Sequence, residues 1–364
     1  MKRTASLKGS AFVAKIFYTV QPDLHRVARL EGGEVVELDF EIPGSPPSLS
    51  EEIFLGRVIE VQKPIKAAFV DIGKGKPGLL PLREGKLPPL NQGDAVVVQV
   101  SRTENPLENK GVRLTRLITL SLGPLLYTPF TPGLSLSKKL NQREAFKNLF
   151  QLQPKEGLIV RYWASLEDSL QELFLQLRGE WEAIQKQLPG KPPLCLKTAP
   201  NLLTRILRSL SPSDTLFIDD RQITAQTQGV GIFSREKAFD ERCEEVWESL
   251  LSPEIFLSQG GSLYIEETRG LVVIDVNSHG ALRHSLPFNR AVVRDVLRQI
   301  RLRELGGKIV VDLIAAPKSL GSLLQGLDIP SNLQIWGVSP MGLLEMTRRR
   351  KRLSLPQRLK LQLN

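Results

Sequence analysis

Asp275, Asn277 and Asp312 are the residues whose types and spacing could do chemistry. Asp275 and Asn277 stand two apart near the end of the apolar run Gly270-Leu-Val-Val-Ile-Asp-Val-Asn-Ser278. Asp312 interrupts a second run, Lys308-Ile-Val-Val-Asp-Leu-Ile314. Both runs are short and rich in β-branched residues, so both read as buried strands. Side chains two apart on a strand share a face, which sets Asp275 and Asn277 side by side. Carboxylates embedded in neighbouring apolar strands are costly unless compensated. A divalent cation is the usual compensation where the ligands are hard oxygens. One strand aspartate alone reads better as a capped or salt-bridged structural group; two, in strands joined by an arginine-rich helix, favour the metal.

The elements around these residues follow from periodicity. Gly261-Ser-Leu-Tyr-Ile-Glu-Glu267 pairs with the first run across Thr268-Arg-Gly270 as an antiparallel hairpin. Phe288 to Arg303 is predicted helix, with Phe288, Val292, Val296 and Ile300 as its apolar stripe. Arg290, Arg294, Arg298 and Arg301 form a second stripe. That stripe is either a solvated basic face or, beside a metal-bound phosphate, a set of bidentate anchors; the context favours the anchors. Gly306-Gly307 ends the helix. His279 and His284 lie in the loop before it. Either is of a type that serves as acid or base, but exposed loop histidines are the favoured reading.

Upstream, Arg26 to Phe40 reads as a hairpin around Gly32-Gly33, and Ile42 to Ser48 as a linker. From Glu51 to Leu120, short apolar segments separated by Gly, Pro and Lys predict a five-stranded barrel of the OB type. Phe69 is there either a base-stacking platform or a core residue, at even odds. Residues 121–211 mix strand and helix, with Leu166 to Leu188 amphipathic and stopped by Pro189-Gly190. Thr215 to Asp220 is predicted strand, and Ala238 to Leu250 helix.

The net charge of +10 over 364 residues suits a polyanionic partner. Two distant cysteines, Cys195 and Cys243, argue against a disulfide scaffold or a zinc site and fit a reducing cytoplasm. No apolar run reaches transmembrane length, and the N-terminus lacks a signal-peptide core, so no membrane partner is expected.

Thr268-Arg-Gly-Leu-Val-Val-Ile-Asp-Val-Asn-Ser278, Gln299-Ile-Arg-Leu-Arg-Glu-Leu-Gly-Gly-Lys-Ile-Val-Val-Asp-Leu-Ile314 and Gly342-Leu-Leu-Glu-Met-Thr-Arg348 closely resemble the catalytic core of the ribonuclease E/G family. The resemblance implies an α+β multidomain fold. An RNase H-like subdomain (1–46 and 212–252) is split by an OB-fold RNA-binding module (47–120) and a 5′-sensor-like region (121–211). A DNase I-like catalytic subdomain with a basic tail (253–364) follows. It further implies a Mg2+-dependent endoribonuclease on single-stranded RNA, with Asp275 and Asp312 as metal ligands and Asn277 orienting the phosphate or a metal water. Such a metal polarises the scissile phosphate and activates a water, leaving 5′-phosphate and 3′-hydroxyl ends.

Lys110 matches a family RNA-contact lysine, and Leu79 takes the place of its second stacking aromatic. Arg161 and Gly123 match the pocket for a 5′-monophosphate, where Tyr162 and Tyr127 replace smaller residues. Ala315 stands where the family often has another aspartate. The family's zinc-link cysteine pair and small C-terminal domain have no counterpart in this sequence, so a monomer or dimer is expected rather than a zinc-linked tetramer. The basic cluster Arg348 to Arg352 reads equally as a solvated or an RNA-contacting tail. The alternative function is a non-catalytic RNA-binding protein that retains the ribonuclease fold.

Overall fold

The structure is a computed structural model that describes residues 13–45, 49–82, 87–106, 109–138, 140–166, 169–227, 231–280, 285–314, 319–327, 329–330 and 332–363. Ala315, His284 and the last three residues of the 42–48 linker lie outside the described residues.

The chain opens with an antiparallel meander, β1 (Ala14–Val20), β2 (His25–Glu31) and β3 (Glu34–Glu41). Gly32 and Gly33 make the β2–β3 turn at φ +59 and +87, a region where a side chain is strained. A barrel follows: β4 (Ile53–Gln62), β5 (Ala67–Asp71), β6 (Gly78–Pro81), β7 (Ala95–Arg102) and β8 (Arg113–Thr115). It closes because β4 pairs with both β5 and β7, while β6 and β7 are joined through β8. Phe54, Val58, Val70, Leu80, Val98 and Leu114 fill it. Gly56 permits the crossing of β4 and β5, since a Cβ there would collide with the Val70 side chain.

The next region carries β9 (Leu120–Leu122), β10 (Leu125–Thr128), β11 (Gly133–Leu136), α1 (Arg143–Lys147), β12 (Gly157–Val160), α2 (Leu170–Gln185), β13 (Leu194–Lys197) and α3 (Leu202–Leu207). The predicted apolar stripe of α2 is buried through Leu170, Phe174, Leu177, Trp181 and Ile184. The helix itself begins at Leu170, later than the apolar pattern suggests. β13 pairs with β4 and so stitches this region to the barrel. Then come β14 (Thr215–Ile218), α4 (Arg221–Gln226), β15 (Ile232–Ser234) and α5 (Glu241–Glu248). β14 joins β1 in parallel, giving a five-stranded sheet in the order β15-β14-β1-β2-β3. Asp220 and Asp240 cap α4 and α5 by accepting from the Ile223 and Cys243 amides.

The last part contains β16 (Glu254–Phe256), β17 (Ser262–Glu267), β18 (Val272–Asn277), α6 (Ser285–Leu302), β19 (Gly307–Asp312), α7 (Leu320–Leu324), β20 (Leu333–Val338), β21 (Leu343–Arg348) and α8 (Leu355–Leu363). The sheet order is β16-β17-β18-β19-β21-β20. β18 and β19 run parallel, and α6 makes the crossover between them. Val292, Val293, Val296 and Ile300 of α6 bury against Leu263, Ile265, Ile274, Ile309 and Val311. Each such side chain contributes about 1.5–3 kcal/mol. One face of the sheet is therefore covered, and the residues of opposite parity are left on the other.

The basic run after β21 is not a tail. Arg348 Nη1 donates to the Ile300 and Leu305 carbonyls at 2.9 and 3.0 Å, and Arg350 donates to the Gly306 carbonyl. Arg352 binds Asp39 and Glu304. Alternate members of the run thus point inward and hold the C-terminal end of α6, where backbone carbonyls lack helical partners. Among the described residues no helix is long and apolar enough to cross a membrane.

Candidate active site

Asp275 and Asp312 are direct neighbours in the parallel β18–β19 register. Both side chains are exposed. This corrects the expectation of buried acids: Val272, Ile274 and Val276 turn to α6, so the alternate residues turn away from it. Adjacent strands lie about 4.8 Å apart, which brings the two carboxylates within reach of one small cation. The pairing was legible because each aspartate ends an apolar run; the face they occupy depends on where α6 docks.

Asn277 shares that face. Its Oδ1 accepts the His279 backbone N–H at 2.9 Å, an Asx turn that holds His279 at φ +48. With the oxygen so engaged, the Asn277 amide presents its two N–H donors outward. The His279 ring is hydrogen-bonded to Ser262 Oγ at 3.0 Å and stands 6.5 Å from the Phe256 ring. Gly261, at φ +88, is required here because a Cβ would collide with the Asn277 carbonyl.

The arginine stripe of α6 is not brought to the acids; the sheet lies between them. Arg301 pairs with Glu31 at 2.8 Å, and Arg298 donates to the Val35 carbonyl at 3.0 Å. Arg290 donates to the Ser322 carbonyl, while Arg294 is exposed. These partners lie on β2, β3 and α7, and the stripe ties the subdomains together.

On the barrel, Phe69 is half-buried and sits directly opposite Leu79, which in turn is opposite Arg113. The three make a lateral row of aromatic, aliphatic and cation across β5, β6 and β8. Arg113 had no sequence signal beyond its charge. Lys110 lies just before β8 and lines a cavity of about 20 Å³ with Arg102, Glu104 and Arg350, where the barrel meets the segment after β21. The two elements are joined there by the Thr103 amide on the Lys351 carbonyl at 2.8 Å.

Arg161 and Gly123 are brought together: Arg161 Nη1 lies 3.5 Å from the Gly123 carbonyl. Burial pulls the guanidinium below its ordinary value. Tyr162 is exposed next to it. Tyr127 is 2% exposed, and its hydroxyl donates to Glu156 at 2.7 Å. Burial, then the Glu156 carboxylate, push that hydroxyl above the usual tyrosine range. Tyr127 is therefore an interior residue, and only Tyr162 flanks Arg161 at the surface. A larger cavity of about 320 Å³, lined by Phe40, Arg205, Glu304 and Arg358 among others, lies away from the acid pair.

The chain is thus a mixed α+β protein with a small barrel and an acid pair on an open sheet face. Residues 123–351 match the model of the ribonuclease E/G family, and the chain belongs to that family. It is 30% identical to ribonuclease E of Escherichia coli (strain K12), an alignment covering 91% of this chain and 36% of that protein. It is 28% identical to ribonuclease G of Salmonella typhimurium (strain SL1344), covering 94% of this chain and 81% of the relative. A 29% identical ribonuclease E from Synechocystis sp. (strain ATCC 27184 / PCC 6803 / Kazusa) is covered over 52% of its length. The chain spans well under half the length of the Escherichia coli relative.

Proposed function

We propose that this chain is a Mg2+-dependent endoribonuclease that hydrolyses single-stranded RNA to 5′-phosphate and 3′-hydroxyl ends. The observation that carries the reading is the direct register of Asp275 with Asp312 on an open sheet face. The donor set fits the ion, because magnesium takes one or two carboxylates and keeps several waters. Among the described residues no group of three or more histidine, cysteine or acidic side chains is placed to hold a metal, so the fit rests on this pair. When bound, the ion would supply charge stabilisation at the phosphoryl group and a water acidic enough to attack it.

The chain's own residues do the rest. Asp275 and Asp312 hold the ion. Asn277, its orientation set by the His279 amide, donates to a phosphate oxygen. Phe69 stacks a base, with Arg113 and Lys110 as nearby cations. In this reading the sheet β15-β14-β1-β2-β3 is the RNase H-like subdomain, the barrel is an OB module and the last sheet is DNase I-like. A monomer or dimer is the proposed assembly.

The test is a labelled single-stranded RNA incubated with magnesium or with EDTA, followed by analysis of the product ends. Asp275→Asn or Asp312→Asn is expected to abolish cleavage and leave RNA binding largely intact, since affinity comes mostly from basic surface. Equal cleavage by wild type and either variant rejects the assignment of these acids, whereas RNA binding by the wild type with no magnesium-dependent cleavage favours a non-catalytic RNA-binding protein.

A further inference from the structure

Three aromatic side chains stand on the same open face as the acid pair. Phe256, Tyr264 and Trp336 are 75, 43 and 62% exposed. Their places are set by strand register. Tyr264 on β17 is directly opposite Asp275. Glu254 and Phe256 on β16 pair with Tyr264 and Ser262, which puts Phe256 on that face, two strands from β18. Trp336 stands at a bulge in β20, two strands from β19 on the other side. Large exposed aromatics grouped on one face mark a surface that meets a partner.

Two of the rings are held. The Trp336 indole N–H donates to Thr347 Oγ1 at 2.9 Å across β20 and β21. The Phe256 ring lies against that of His279, the residue whose amide orients Asn277. The charge on this face has the wrong sign for a polyanion. Glu254, Glu266 and Glu345 share it with Asp275 and Asp312, and register adds one cation, Lys308. Phosphate neutralisation, the ordinary source of nucleic-acid affinity, is therefore weak here. Stacking on aromatic faces is the attraction that survives, and it is indifferent to base identity.

We propose that Phe256 and Tyr264 on one side of the acid pair, and Trp336 on the other, hold unpaired nucleobases flanking the scissile phosphate. The open sheet face then grips RNA by its bases, while the barrel and the basic surface grip its backbone. This rests on the reading of Asp275 and Asp312 as the hydrolytic centre. It also supplies a physical reason for single-strand preference, since a base in a duplex has no free face to offer.

The experiment uses the full chain carrying Asp312→Asn, so that the probe stays intact. Fluorescein-labelled decaadenylate RNA is compared with an abasic sugar-phosphate backbone of the same length. Phe256→Ala and Trp336→Ala are each expected to weaken decaadenylate binding about ten-fold and to leave abasic binding unchanged. Phe256→Leu and Trp336→Leu keep apolar volume and remove the π face; they should give the same loss, with thermal melting unchanged. Trp336→Phe should retain affinity. Variants that bind decaadenylate as the parent does overturn the proposal. So does a face that releases a second copy of the chain on substitution, seen by light scattering, with RNA affinity unaltered. Cleavage is scored separately, in chains that retain Asp312. Stacking losses in a protein that cuts no RNA leave the platform standing and reject the hydrolytic centre; normal cutting with no stacking loss does the reverse.

Discussion

Phe69 lies outside the set of buried residues that fill the barrel, so part of its ring surface reaches solvent beside Leu79 and Arg113. Phe69→Ala is expected to lower affinity for a single-stranded decamer by about 1–3 kcal/mol. A half-exposed ring leaves the melting temperature within a few degrees of wild type. Fluorescence anisotropy and a thermal melt measure the two effects; a collapse of the melt with no selective loss of binding would restore the core reading. At this scale the sequence was informative where a residue broke an apolar run. Asp275, Asn277 and Asp312 stood out for that reason; the period of two set Asp275 and Asn277 on one face, and the β18–β19 register adds Asp312 to it. Tyr264, Phe256 and Trp336 did not stand out. An aromatic in a strand reads as core until its parity against α6 is known, and Trp336 sits at a bulge that shifts the alternation.

Among the elements, α6 shows how a charge pattern is legible while its purpose is not. Its apolar stripe was plain from spacing, and it buries as the spacing requires. Its arginines were equally plain, but their partners Glu31 and Val35 lie on β2 and β3, far away in sequence. No window along the chain contains both ends of those interactions. The C-terminal end of α6 is similar: Arg348 and Arg350 are supplied from beyond the next three elements. Because one guanidinium satisfies two carbonyls, Arg348→Ala is expected to cost roughly 1.5–3 kcal/mol, the range for hydrogen bonds involving a charged donor. Arg348→Lys should recover only part of it, since an ammonium keeps the charge without the planar fork. Urea denaturation gives the readout: the midpoint should fall for alanine, less for lysine, with the slope unchanged. A midpoint equal to wild type in Arg348→Ala would show that the helix end is satisfied in another way.

Across the whole molecule, two carboxylates, Asp39 and Glu304, and three arginines join five separated stretches of chain. Asp39 on β3 receives Arg205 of α3 at 3.0 Å, Arg352 after β21 at 2.8 Å and Arg358 of α8 at 3.0 Å. Glu304, just after α6, binds the same Arg352 and Arg358 at 2.8 and 2.7 Å. Burial alone would push the Asp39 carboxyl up; the guanidiniums of Arg352, Arg358 and Arg205 overcome it and hold it well below the usual carboxylate range. A carboxyl depressed in the folded chain stabilises the fold at every pH above its unfolded value, near 3.9, and that stability is lost as pH falls below it toward the folded value. Wild-type stability is therefore expected to be level from neutral pH to about 5 and to decline steeply below about 4. Asp39→Asn leaves Arg205 without this counter-charge and Arg352 and Arg358 with Glu304 alone, and should cost roughly 3–5 kcal/mol at pH 7. Having no carboxyl to protonate, it should also show a shallower acid decline. Chemical denaturation of both proteins between pH 7 and pH 3 measures the difference, which should narrow as the pH drops. Parallel curves, offset by a constant amount, would mean that Asp39 does not carry the acid sensitivity and that the decline comes from carboxylates elsewhere.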